Sequence, residues 1–192
     1  MLKTTDIHYG EATYINSETR GAAAMFADTL RELVDREMSG GRELVLLCIG
    51  TDRITGDSLG PIIGHNLVKH RTFGRRSALR PVVYGTLESP VHAKNLPQAL
   101  EMIHTRHAGP LIVAVDASLG RPQSVGYITI GCGALSPGAG VMGGLPDVGD
   151  IYVTGIVNRS GAANLVTLQN THLALVVKLA DVITRGFVRA LV

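Results

Sequence analysis

The chain has 192 residues, 45% of them hydrophobic and 18% charged, with a net charge of +2 at neutral pH. That is enough apolar material for one full hydrophobic core, and too much for a disordered chain. With 4% aromatic residues and no Trp, it lacks the stacking platforms and phosphate attraction of a nucleic-acid binder.

The two cysteines, Cys48 and Cys132, have no metal-ligand spacing and build no disulfide framework, which fits a reducing cytoplasm. The N-terminal stretch has no signal-peptide core, and no apolar run approaches the roughly 18 residues of a membrane span. The expectation is one domain over residues 1–192, cytoplasmic, with no nucleic-acid or membrane partner and with a homo-oligomer left open.

Residues 1–16 are unperiodic and read as an N-terminal arm or an irregular strand laid over the surface. From 17 to 38, Ala22, Met25, Phe26, Leu30, Leu33 and Val34 recur at helical spacing, and the Gly40, Gly41 pair ends that helix. Residues 44–49, LVLLCI, have no polar alternation, as in a strand covered on both faces of a parallel sheet. Gly50 stops the run and opens an acidic loop. Asp57 or Ser58 suits the cap of a helix over residues 59–69, and Pro61 suits an early position within it.

The basic stretch 71–80 reads as a solvated connection. A short strand over 81–84 places Glu88 and His92 just past its end, and Asn95 with Pro97 marks the next helix. Residues 110–116, PLIVAVD, form the clearest strand after the first, and packing does not explain the aspartate that ends it. A strand over 127–130, read as antiparallel, precedes residues 131–150, which are too rich in Gly and Pro for regular structure and suit a lid. A strand over 151–157 leads to Asn158. A closing helix, ending at Arg185, sets Leu168, His172, Leu175, Val176, Leu179 and Ile183 on one side. Strands alternating with helices predict an α/β fold of three αβα layers on a mainly parallel sheet.

In open α/β sheets, ligands and chemistry collect at the carboxyl ends of strands. Asp57 and Asp116 are both expected there. Two carboxylates forced together share a proton, so that one serves as base and the other as acid, and water is activated against an amide. The competing readings are a helix cap for Asp57, a turn or salt bridge for Asp116, or a metal pair completed by Glu88 or His92. The loop is not a phosphate cradle, because Gly56 is followed by Asp57 where that motif needs Lys. Ser58, Ser118 and Ser136 lack a nucleophile-elbow pattern.

As a set, CIGTDRITGDSLGP, YGTLESPVHAKNL, VAVDASLG, PGAGV with LPDVGD, and TGIVN with LQNTHL resemble the YyaC-type sporulation proteins, the DUF1256 family. That family is related to spore germination protease and, more distantly, to hydrogenase-maturation endopeptidases. The resemblance covers residues 44–179. It implies a phosphorylase/hydrolase-like fold, a sporulating cell or forespore, and a protein or peptide substrate. The catalytic acids of germination protease lie in a loop ending Asp-x-Leu-Gly-Pro and in a strand-end Asp-Ala, positions held here by Asp57 and Asp116. In the hydrogenase-maturation enzymes the corresponding acids, with a histidine not placed in this chain, bind the nickel of the substrate protein. The expectation is therefore a peptidase without cofactor, with a divalent metal at Asp57 and Asp116 as the alternative. Asp52, Glu88, His92 and Asn158 are expected to line the cleft or position the peptide. A non-catalytic peptide-binding or regulatory protein on the same fold is the other reading, alongside a metal-dependent processing endopeptidase.

Overall fold

A computed structural model describes residues 12–38, 40–71, 73, 79–138 and 145–192. Among them the strands are β1 (Thr13–Asn16), β2 (Leu44–Cys48), β3 (Val82–Tyr84), β4 (Leu111–Gly120), β5 (Tyr127–Cys132) and β6 (Ile151–Arg159). They form one sheet in the order β1-β5-β6-β4-β2-β3. β3, β2, β4 and β6 run parallel, while β5 is antiparallel to both β6 and β1. The helices are α1 (Ala22–Glu37), α2 (Leu59–Lys69), α3 (Leu96–Arg106), α4 (Asn164–Gln169) and α5 (Leu173–Leu191).

The unbroken apolar runs of β2 and early β4 are explained by cover on both faces. Leu44, Leu46, Cys48, Val113 and Val115 join the core built with α1, α2 and α5. Val45, Leu47, Ile112 and Ala114 join a second core with Leu96, Ala99 and Ile103 of α3. The sheet therefore lies between two helical layers. On the thicker side Phe26 of α1 meets Phe187 of α5 edge to face, ring centroids 5.2 Å apart; burying each ring contributes about 2–3 kcal/mol. No helix among the described residues is long and apolar enough to cross a membrane.

Three elements differ from the sequence reading. Residues 13–16, read as an arm or an irregular strand laid over the surface, are a strand as in the second reading but a regular one at the sheet edge, with Ile15 buried and in register with residues 127–130; residues 1–11 lie outside those described. β4 continues past Asp116 to Gly120 because β6 keeps pairing with it as far as Arg159. The closing helix is two helices. Asn170 turns its amide back to the Val166 carbonyl (2.9 Å), and such local side-chain bonding competes with helix continuation. His172 is consequently exposed at the start of α5 instead of lying on its apolar stripe.

This topology fixes where a site can form. From β2 the chain crosses through α2 to β3 on one side. From β3 it returns through α3 to β4 on the other side of β2. The connections diverge at the carboxyl ends of β2 and β4, the crevice where open α/β sheets bind ligands. Asp57 follows β2, and Asp116 lies in β4.

Candidate active site

The loop carrying Asp57 is held by backbone packed on backbone. Gly50 has φ 139°, and a Cβ there would stand 2.0 Å from the Asp57 carbonyl oxygen. A Cβ on Gly60 would stand 2.1 Å from the carbonyl oxygen of Ile49. Without side chains at these two positions, the end of β2 and the start of α2 close on each other and trap residues 51–59 between them. The Thr51 N–H is shared between the Asp57 carbonyl oxygen (3.1 Å) and Asp57 Oδ2 (2.9 Å).

Asp57 is not a helix cap. It lies in a 3-10 turn, Thr55–Ser58, and Ser58 holds the N-cap position of α2 without a side-chain cap bond, its hydroxyl donating instead to the Thr55 carbonyl at 2.7 Å. Burial raises the Asp57 carboxyl from its ordinary 3.8 to about 6, against the opposing hydrogen bond from Thr51.

Asp116 is the sixth residue of the ten-residue β4, so it is not at the strand's end. It is, however, the first residue of β4 beyond the paired stretch of β2, whose last ladder pair is Cys48 with Val115. Its other neighbour, in β6, is Thr154. Only 6% of Asp116 is exposed. Its Oδ1 accepts the Ala117 N–H at 2.7 Å, and its carboxylate also accepts the backbone N–H of Gly138. Burial, followed by the negative charge of Asp57, outweighs both bonds and lifts its pKa well above the ordinary value. Asp116 therefore holds its proton more tightly than an ordinary carboxyl does, Asp57 loses its own at about 6, and the two titration steps belong to the pair.

The remaining sequence-derived candidates fall around this pair in different ways. Asp52 is exposed at the tip of the same loop and makes no hydrogen bond among the described residues. His92 follows Val91, which pairs with Ile49 and accepts the Gly50 N–H at 2.8 Å, so His92 borders the loop's first residue. Its own N–H is capped by Asn95 Oδ1 at 2.8 Å. Glu88 is exposed and engaged by His65 of α2, Nδ1 to Oε2 3.0 Å, and this bond holds its carboxyl below the ordinary value. Asn158 gives its amide to the Thr167 carbonyl and the Thr171 hydroxyl, both at 3.2 Å. It ties to β6 the segment whose Leu168 and Thr171 pack against Gly56, and so it braces the turn bearing Asp57 from behind.

The 131–150 segment is less free than its composition suggests. Gly133 donates to the Asp150 carbonyl, Leu135 and Val148 bond each other in both directions, and Asp150 Oδ2 takes both the Ile112 N–H and Arg42. Leu135 and Val148 join the α3-side core. Residues 139–144, the middle of the expected lid, lie outside those described.

One feature was not anticipated from sequence. The Ser118 hydroxyl donates to Thr154 Oγ1 (3.1 Å), which also shares a proton with Thr129 Oγ1 (2.7 Å), a hydroxyl row crossing β4, β6 and β5 beside Asp116. Its signal was the alternation of polar and apolar residues in YITIG and YVTG, which puts both threonines on one face.

Among the described residues, no three His, Cys, Asp or Glu side chains converge as a metal-ion donor set. Asp57 and Asp116 supply two carboxyl groups, and Glu88 is taken by His65.

The sequence matches the model of a family described as "Protein of unknown function (DUF1256)" over residues 14–186. It is also 46% identical over 170 residues to the "Uncharacterized protein YyaC" of Bacillus subtilis (strain 168), a match spanning 88% of this chain and 80% of that protein.

Proposed function

The chain belongs to the DUF1256 family, and we propose that it is a peptidase of the germination-protease type in which Asp57 is the general base and Asp116 the general acid. The observation that carries this reading is a pair of buried, electrostatically coupled carboxyl groups at the switch point of the sheet, both raised by burial and Asp116 additionally by the charge of Asp57. Environments that push two pKa values apart are how acid and base roles are assigned within one carboxylate pair.

The Thr51 N–H orients the Asp57 carboxylate through Oδ2, leaving Oδ1 to bind a water. That water attacks the peptide carbonyl carbon, forming the new C–O bond, and its proton passes to Asp57. As the C–N bond breaks, Asp116 delivers its proton to the leaving nitrogen. The Ala117 and Gly138 N–H groups, already directed at Asp116, stabilise the carboxylate that this transfer creates. Return of the proton from Asp57 to Asp116 resets the pair. No cofactor takes part.

The substrate is a protein or peptide, and His92 and Asp52 border the mouth through which it enters. The motif resemblance extends the proposal to the cytoplasm of a sporulating cell or forespore, and to kinship with germination protease. The test is incubation with a degenerate octapeptide pool, blocked at both ends, followed by mass spectrometry for newly formed termini. New termini at pH 7 that diminish below pH 6 are expected; an intact pool across pH 5–8 would overturn the proposal.

A further inference from the structure

We propose that a peptide binds by adding itself as a strand to the free edge of β4 at residues 117–119, directly beside the carboxylate pair. This rests on the peptidase reading and specifies how its substrate is held.

Backbone groups alternate in direction along a strand, and three hydrogen bonds fix that alternation in β4. Ile49 donates to the Val115 carbonyl at 2.7 Å, so odd-numbered residues face the β2 side. Asp150 donates to the Ile112 carbonyl and Ser160 to the Gly120 carbonyl, each at 2.8 Å, so even-numbered residues face β6. Ala117 and Leu119 therefore direct their N–H and C=O groups to the β2 side.

β2 is no longer there. After Ile49 the chain turns away at Gly50, whose N–H bonds Val91 instead. Among the described residues no strand pairs with β4 on this side beyond Val115. The Ala117 N–H is met by Asp116 itself. Among the described residues, the Ala117 carbonyl and both backbone groups of Leu119 are left without a partner on this side, on residues that are half-buried.

Groups of this kind are satisfied by another peptide backbone, and an extended segment taking the course that β2 abandons would lie about 4.8 Å from β4. Such a segment starts at the residue next to Asp116 and runs past the turn that carries Asp57. Strand addition thus brings an amide bond to the pair by main-chain recognition, and side-chain preferences are left to the residues around the mouth. The edge is two residues long in its outward-facing groups, too short to template sheet growth.

Amide hydrogen exchange of Asp57→Asn with and without the octapeptide pool tests this, read at Leu119 with Val115, inside the ladder, as internal reference. At least tenfold slower exchange at Leu119 is expected, abolished when the pool is replaced by its backbone N-methylated counterpart. Cleavage of the pool by wild type with unchanged exchange at Leu119 overturns strand addition and leaves the peptidase reading standing. Slowed exchange with no wild-type cleavage does the reverse. Neither effect overturns both. Slowing that depends on protein concentration without the pool assigns the edge to a second copy of the chain and also overturns the proposal.

Discussion

The charge of Asp57 acts on Asp116, helping to hold its proton against two backbone N–H groups that favour its loss. The asymmetry originates in the fold. Asp57 is half-buried on a loop after β2, whereas Asp116 lies within the sheet, flanked by β6.

Cleavage should therefore rise with pH through about 6 as Asp57 loses its proton, and fall at higher pH, where Asp116 loses its own. The profile of kcat/KM against pH on the octapeptide pool checks this. A rate independent of pH between 4 and 8 would contradict the assigned roles.

Stability carries the same signature with a definite sign. The folded-state pKa of Asp57, about 6, exceeds its ordinary 3.8, so the folded chain binds this proton more tightly than the unfolded chain does. The resulting stability is present below about pH 4 and lost as pH rises through 6. Asn at position 57 keeps an acceptor for Thr51 and removes the charge. Asp57→Asn should stabilise the fold by about 2 kcal/mol at pH 7.5, a two-unit shift reduced for partial exposure, and by close to nothing at pH 4. Urea unfolding at the two pH values makes the comparison.

The glycine contacts that seat the loop make a sharper demand. A Cβ on Gly60 would enter the Ile49 carbonyl oxygen, whereas one on Gly161 meets nothing within 4 Å. Gly60→Ala should cost about 3 kcal/mol or more because backbone must move, and Gly161→Ala should change stability by less than about 0.5 kcal/mol. Equal unfolding midpoints for the two variants would refute the packing described for the loop.

Asn158 is engaged with Thr167 and Thr171, which makes it a brace for α4 and, through Gly56, for the turn bearing Asp57. Asn158→Ala should lower stability by about 1–2 kcal/mol and reduce kcat while leaving KM unchanged. A rise in KM with constant stability would instead identify Asn158 as a direct peptide contact.

β2 and α2 were legible because an unbroken apolar run, a glycine stop and an early proline are local signals. Asp116 stood out because packing gives an aspartate at the end of an apolar run no reason to be there, and Asp57 because its loop follows the glycine stop of β2. What could not be read was contributed by distant partners. Residues 117–120 have little strand propensity of their own and are extended because β6 pairs with them. The His65–Glu88 bond joins α2 to the loop after β3 across 23 positions. Asn158 lies past the expected end of its strand, and its amide is claimed by a helix that sequence periodicity had merged with α5.

The most direct test of the carboxylate-pair mechanism maps newly formed peptide termini for wild type, Asp57→Asn and Asp116→Asn on the same octapeptide pool, with circular dichroism to establish that all three are folded. Both substitutions keep shape and remove one acid. Wild type should produce new termini, and both variants should lose at least about 100-fold of that rate, the usual weight of a general acid or base. Identical termini at equal rates from all three folded proteins would contradict the mechanism.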